Sequence, residues 1–459
     1  MSKQVLILLY IILFFGISCS SEKYNNDDTR TIEEWVSKNK WFTKQTTSYN
    51  EDVGASVEID SKGNIYFIGN SGGGVGEKDN FYGETIYDAD IFIVKYNKYF
   101  ERVWVKTITS NYPNLGGAEG ATNIIIDSTD SLILLGHSTG DFDTLNEGGD
   151  TSFLLKLDNS GNKVAIKQTT LSGSINSGNL VLDADNNIYQ SNSKNLVKYN
   201  SNLITQWSDN ISDNISSTSF ISIDSNNNLY YTGYYSLGSG CSTNYASDLV
   251  FGKYNLSNRS IIWEKKHSIC SDKGTSITTD SNGFVYVSGN TSYMYDNVTR
   301  GNGGELLKGG GSDCFLIKIQ PSDGEIIWTR IFGSVNGSEE VNELKTDSGN
   351  NLFITGYTTG SFETGYKASG RDIFLIKFDS NGDHSWSRQL SSEIPSFRTS
   401  TSSDTFDVAY GLAIDSINKR IYIVGMTQGN LDGNNLTYSG VSTQNSTDAF
   451  ITRTIDVDY

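Results

Sequence analysis

Apolar runs of four or five residues, each bounded by Asp, Asn, Gly or Ser, recur along this chain from residue 60 onward. Ile65-Tyr66-Phe67-Ile68 and Leu132-Ile133-Leu134-Leu135 are apolar at every position instead of alternating, which predicts strands covered on both faces. An aspartate opens each unit: Asp60, Asp127, Asp183, Asp224, Asp280, Asp347 and Asp415. In six units an apolar pair begins five residues later, and after Asp415 it begins one residue further on, at Ile421. Glycine closes the run at Gly69, Gly136, Gly233, Gly289, Gly356 and Gly425, with Asn192 in the third unit.

A second apolar run follows in every unit and ends on a basic residue: Lys95, Lys156, Lys198, Lys253, Lys318, Lys377 and Arg453. Asp90, Asp248, Asp313, Asp372 and Asp448 stand five positions before it, and the reading assigns them a cap or a contact to that basic residue. A further strand is marked by Trp104, Trp207, Trp263, Trp328 and Trp386, with Ala165 in the second unit. Each unit therefore predicts four strands. Sheets buried on both faces require neighbours on both sides, and radial stacking around an axis supplies them. The seventh unit stops after its basic strand, and Trp41-Phe42-Thr43-Lys44 precedes the first aspartate. The expectation is an all-β, seven-bladed β-propeller over residues 39–459, closed by the N-terminal strand around Trp41 so that no edge is left unpaired.

The pattern Asp60-Ser61-Lys62-Gly63-Asn64-Ile65-Tyr66, with the later Gly, Asp-x-Phe-x-x-Lys and Trp, resembles the seven-bladed SBBP repeat family of bacterial surface and exported proteins over residues 41–459. That resemblance implies the fold and little chemistry.

Ahead of the repeats, Lys3 precedes an apolar run from Val5 to Ile17, too short to span a bilayer comfortably and ordered like an export signal. Ser18-Cys19 resembles the processing site of bacterial lipoproteins, although Gly16 stands where that family usually has leucine. The resemblance implies a signal over residues 1–18, lipid attachment at Cys19, and residence in the cell envelope of a diderm bacterium, at the outer membrane or cell surface. Residues 19–38 read as a solvated tether.

With 53 acidic and 35 basic residues the formal charge is −18, which argues against a general nucleic-acid binder. Part of that charge is repetition, because the seven turn aspartates are counted with the rest. Each sits at the entry to a Gly/Asn turn, where a carboxylate caps backbone N–H groups, so the reading makes them structural and not metal ligands. No spaced calcium-loop ligands follow Asp60. His137, His267 and His384 fall in different units, with no Ser-His-Asp neighbourhood and no Cys-x-x-Cys, so neither catalysis nor a cofactor is expected. Cys241 and Cys270 project to one face of adjacent units and could pair in an oxidising envelope, leaving Cys314 free or exchanging places with one of them.

The connections between second and third strands, such as 70–89 and 290–312, are long and rich in Gly, Ser, Asn and Tyr, whereas the opposite face has tight turns. Long loops on a rigid scaffold point to binding of a protein or glycan by a monomer held to the membrane through its lipid. The alternatives are an envelope-assembly scaffold, or an enzyme of quinoprotein or polysaccharide-lyase type. Ser322-Asp323-Gly324-Glu325-Ile326-Ile327-Trp328 resembles one quinoprotein repeat.

Overall fold

The computed structural model describes residues 41–46, 51–72, 90–108, 119–140, 142, 151–170, 178–236, 247–267, 272–291, 311–334, 337–362, 370–392, 405–431 and 447–456. Cys19, Cys241, Cys270 and most of the long connections lie outside these residues.

The first aspartate unit folds as four antiparallel strands in chain order, Asp52–Ile59, Ile65–Ser71, Asp90–Tyr96 and Arg102–Ile108. The strand before the aspartate, the aromatic strand, the basic strand and the Trp strand are thus neighbours in the order the sequence predicts. Four-stranded sheets of the same order occupy residues 119–170, 178–210, 217–267 and 272–332. The remaining strands make an eight-stranded sheet. Its two halves, residues 339–390 and 405–455, meet through a short parallel pairing of Gly370 with Thr405 and Arg371 with Phe406.

Two bulges recur. Between first and second strands, Ala55, Thr122, Thr275, Asn342 and Tyr410 are each one residue in excess. Between third and fourth strands, Val103, Val164, Gln206, Ile262, Ile327 and Ser385 are the extra residues, and all six are exposed. Bulges increase local twist and spoil the outer edge as a template for another chain.

The core lies between sheets. Tyr66, Ile68, Ile91 and Ile93 of the first sheet pack with Ala121, Ile124, Leu132 and Leu134 of the second. The same kind of cluster joins each later sheet or half-sheet to the next. Another joins Val57, Phe67 and Val94 of the first sheet to Ala413, Tyr422, Val424 and Ile451 of residues 405–455. Each fully buried aliphatic or aromatic side chain contributes roughly 1.5–3 kcal/mol.

Phe42–Gln45 pairs antiparallel with Asp448–Ile455, so the N-terminal strand does complete the last set. Its register refines the sequence reading. Lys95 faces Trp104 and Lys377 faces Trp386, but Arg453 faces Phe42, so Phe42 holds the tryptophan position and Trp41 packs beside it against Phe353 and neighbours. Gln45 then occupies the place of Gln168 and Gln389, opposite a phenylalanine in each case. All three glutamines donate to a glycine carbonyl beyond the second strand, Gly429, Gly140 or Gly360. All three also accept a backbone N–H, from Leu431, Phe142 or Phe362.

Gln45→Ala removes bonds to Gly429, Leu431 and Asp448. The expected loss is about 1–3 kcal/mol in denaturant unfolding, and a variant with unchanged stability would show that these glutamine bonds do not hold the strand.

Candidate functional site

The repeated aspartates act as turn caps. Asp60 Oδ1 accepts from the N–H groups of Lys62 and Asn64 at 2.9 and 2.8 Å, and Oδ2 accepts from the Asn64 amide at 2.7 Å and the Tyr66 hydroxyl at 3.1 Å. Asp183 and Asp224 repeat the full set. Asp280 keeps the backbone pair and a tyrosine bond at 2.9 Å, and Asp347 and Asp415 keep an amide and backbone bonds. In the second unit Ile133 stands where Tyr66 stands in the first, Asp127 still caps Thr129 N and Ser131 N, and Lys156 pairs with its Oδ2 at 2.8 Å. Burial first, then the neighbouring carboxylate, holds the Tyr66, Tyr189, Tyr230 and Tyr286 hydroxyls protonated far above their ordinary range.

The basic residue of the third strand reaches across to the next unit in every unit but the third, where Lys198 lies 3.8 Å from Asp183 of its own turn. Lys95 donates to Asn159 O, Lys156 to Ser201 O and Lys318 to Ser380 O, each at 2.9 Å, while Lys377 meets the Asp456 carboxylate. Arg453 donates to Tyr99 O of the first sheet. The aspartate five residues earlier lies at the other end of the strand, so the expected contact between the two does not form; Asp372, for example, bonds Gln389. The tryptophans are seam residues as well. A Cβ on Gly161, Gly324 or Gly382, all at positive φ, would press against Trp104, Trp263 or Trp328 of the preceding unit. Gly324 lies in the segment resembling a quinoprotein repeat, so its packing gives that turn a structural role.

At the opposite, loop-bearing end the first strand opens with an acid facing a hydroxyl residue: Asp52 with Ser71, Glu119 with Ser138, Asp272 with Thr291, Glu339 with Thr358, Asp407 with Thr427. All are buried. Asp407 accepts from Thr427 at 2.6 Å and Ser392 N at 2.8 Å, yet burial, with Asp372 nearby, pushes its carboxyl up to about 6. Among the described residues, no group of three or more His, Cys, Asp or Glu is placed to hold a metal ion. The three histidines stay in separate sheets, and Cys314 is a buried free thiol whose ionisation burial opposes.

Two groupings escaped the sequence reading. Glu58 and Lys345 hold the same place in their units, opposite Tyr66 and Phe353, and their side chains meet at 3.0 Å across the intervening residues 405–455, where Ala413 is small. Glu343 lies 3.9 Å from Lys345. Desolvation by the surrounding protein raises the Glu343 carboxyl to about 7, against the pull of Lys345. The second grouping is a cation–aromatic ledge at the loop-bearing end, formed by Glu340, Tyr357, Arg371, Phe406 and Tyr410. The only hint of it in the sequence is the extra Gly370-Arg371 before Asp372.

Residues 271–292, in the fifth unit, match the model of the beta-propeller repeat (SBBP). No curated protein matches the chain. Among solved structures it is similar to a protein of unknown function from Dyadobacter fermentans, with 9% identity, 90% of this chain and 98% of that one covered and a TM-score of 0.43. A Dos1 propeller gives 10% identity, 90% and 95% coverage and a TM-score of 0.45. A protein of unknown function from Bacteroides caccae gives 12% identity, 61% and 81% coverage and a TM-score of 0.35. The chain is thus an all-β protein of four-stranded units carrying the beta-propeller repeat.

Glu343 and Asp407 have folded-state pKa values above those of an unfolded chain, so their contribution is fully present below about pH 4 and is lost as pH rises through 6 to 7. Glu343→Gln should therefore gain in melting temperature relative to the wild type between pH 5 and pH 8. A difference that stays constant across this range would mean that Lys345 keeps Glu343 ionised throughout.

Proposed function

We propose that residues 41–459 form a closed seven-bladed propeller, that Cys19 carries a lipid, and that the loop-bearing end of this envelope protein is a non-catalytic binding surface. Closure is supported by the packing of the first sheet on residues 405–455, by Arg453 reaching Tyr99, and by the Glu58–Lys345 pair, which requires the first and sixth units to approach one axis.

The observation that carries the binding reading is the contrast between the two ends. Polar groups at the tight-turn end are spent on caps and on bonds to the neighbouring unit, such as Ser61 to Asp130 and Ser128 to Asn186. The loop-bearing end presents cations held over tyrosines, Lys273 on Tyr234 and Arg371 on Tyr357, beside long connections. Phe42, in the first described strand, lies beside Arg453 at the tight-turn end, away from the long connections.

Protease shaving of intact cells, followed by affinity capture on envelope and host-matrix extracts, tests this reading. Replacing residues 73–89 by a short Gly-Ser link should reduce capture. Capture unchanged by that swap but abolished by Ser61→Ala with Asp130→Ala would move the binding surface to the turn face.

A further inference from the structure

From the ledge between residues 339–390 and 405–431, we propose a subsite for a carboxylate-bearing sugar, a uronic acid unit of an acidic glycan. The proposal rests on the glycan branch of the binding reading above and names its ligand class and place. Arg371 is the centre. Its guanidinium carbon lies 4.4 Å from the Tyr357 ring centroid and 5.4 Å from that of Phe406, within cation–π range of both rings. The backbone fixes this arrangement: Arg371 pairs in parallel with Phe406, and the preceding Gly370 has φ of +104°, a conformation other residues rarely adopt. Glu340 faces Tyr357 in register and accepts its hydroxyl at 2.6 Å. Tyr410, on the bulge of the next first strand, lies within the field of both Arg371 and Glu340.

Three chemistries converge here. The Arg371 guanidinium forms no hydrogen bond or ion pair with the described residues, and a guanidinium fork matches a carboxylate through two parallel bonds. Glu340 is exposed and acceptor-only when ionised, so it suits hydroxyl donors and repels a second anion. Phe406, 38% exposed, is a flat apolar surface for the C–H face of a pyranose ring, whereas the other exposed large apolar residues lie on outer strands and tight turns. A uronic acid carries a carboxylate, neighbouring hydroxyls and an apolar ring face on one rigid frame. A peptide C-terminus would satisfy Arg371 but brings no sugar hydroxyls to Glu340, and a phosphate brings no apolar face to Phe406.

Calorimetric titration of the full chain in detergent with trigalacturonate, trimannuronate and a hyaluronan tetrasaccharide tests the assignment. Methyl-esterified trigalacturonate, maltotriose and a hexapeptide with a free C-terminus serve as controls. At least one uronate should bind, with about tenfold loss on esterification and a similar loss for Arg371→Met, which keeps the stem beside the rings. Arg371→Lys should recover only part, Glu340→Gln should weaken binding several-fold, and melting temperatures should confirm that each variant folds. The subsite is overturned if no uronate binds, if Arg371→Met binds as the wild type does, or if the ester or the peptide binds equally well in an Arg371-dependent way. If uronates fail while the wild type still captures an envelope partner, the subsite falls and the binding surface stands; if the wild type captures nothing either, both fall.

Discussion

One carboxylate at the head of each unit organises the fold around it. Asp60 satisfies two backbone N–H groups of its turn, an amide and a buried tyrosine hydroxyl, and so fixes the turn to the strand that follows. Lys95, stacked over the same tyrosine at 4.9 Å, carries the arrangement to the neighbouring unit through Asn159 O. A local cap thereby becomes an inter-sheet latch. The second unit shows that the carboxylate and not the tyrosine is essential: where Ile133 replaces tyrosine, Lys156 pairs with Asp127 and still donates to the next turn. Burying a carboxylate this way is tolerable because its lone pairs are taken, in keeping with the cost of leaving a buried acceptor unmet.

Much of this was legible in the sequence because it is turn chemistry written seven times. Aspartate, aromatic strand, basic strand and tryptophan appear in the structure in the predicted order. What could not be read falls into two kinds. Register escaped, since the bulge after each basic residue decides which residue faces it, and so Phe42 and not Trp41 takes the tryptophan position. Features present once or joined over long separations escaped as well. Glu58 and Lys345 stand 287 positions apart, and the Arg371 ledge has no counterpart in another unit against which to notice it. The Ser/Thr-x-Gly-x-Phe/Leu turns at 138–142, 358–362 and 427–431, each tied to a glutamine, were visible as a repeat but acquire meaning only when the glutamine partner is located.

The two ends of the sheets differ in how their polar groups are employed. Turn-end groups are committed to neighbouring units, which makes that end rigid and chemically closed. Loop-end acids are buried against serines and threonines, and burial makes Asp407 and Glu339 hold protons more tightly than ordinary carboxyls do. Binding surfaces are more readily varied where the scaffold's own bonds do not depend on them.

The strand Phe42–Gln45 finds its partner at sequence separations as large as 410 residues. At about 5–20 residues per second it would wait roughly 20–80 s after synthesis for Asp448–Ile455 to appear. Contacts of such high order form late in folding. During that interval Phe42–Gln45 stays unpaired, and once Asp448–Ile455 has formed, its free edge fits the same segment of a second molecule as well as its own. Exchanging it would generate a domain-swapped pair with every native hydrogen bond intact, so the feature that completes the fold is also its most direct route to an intertwined dimer.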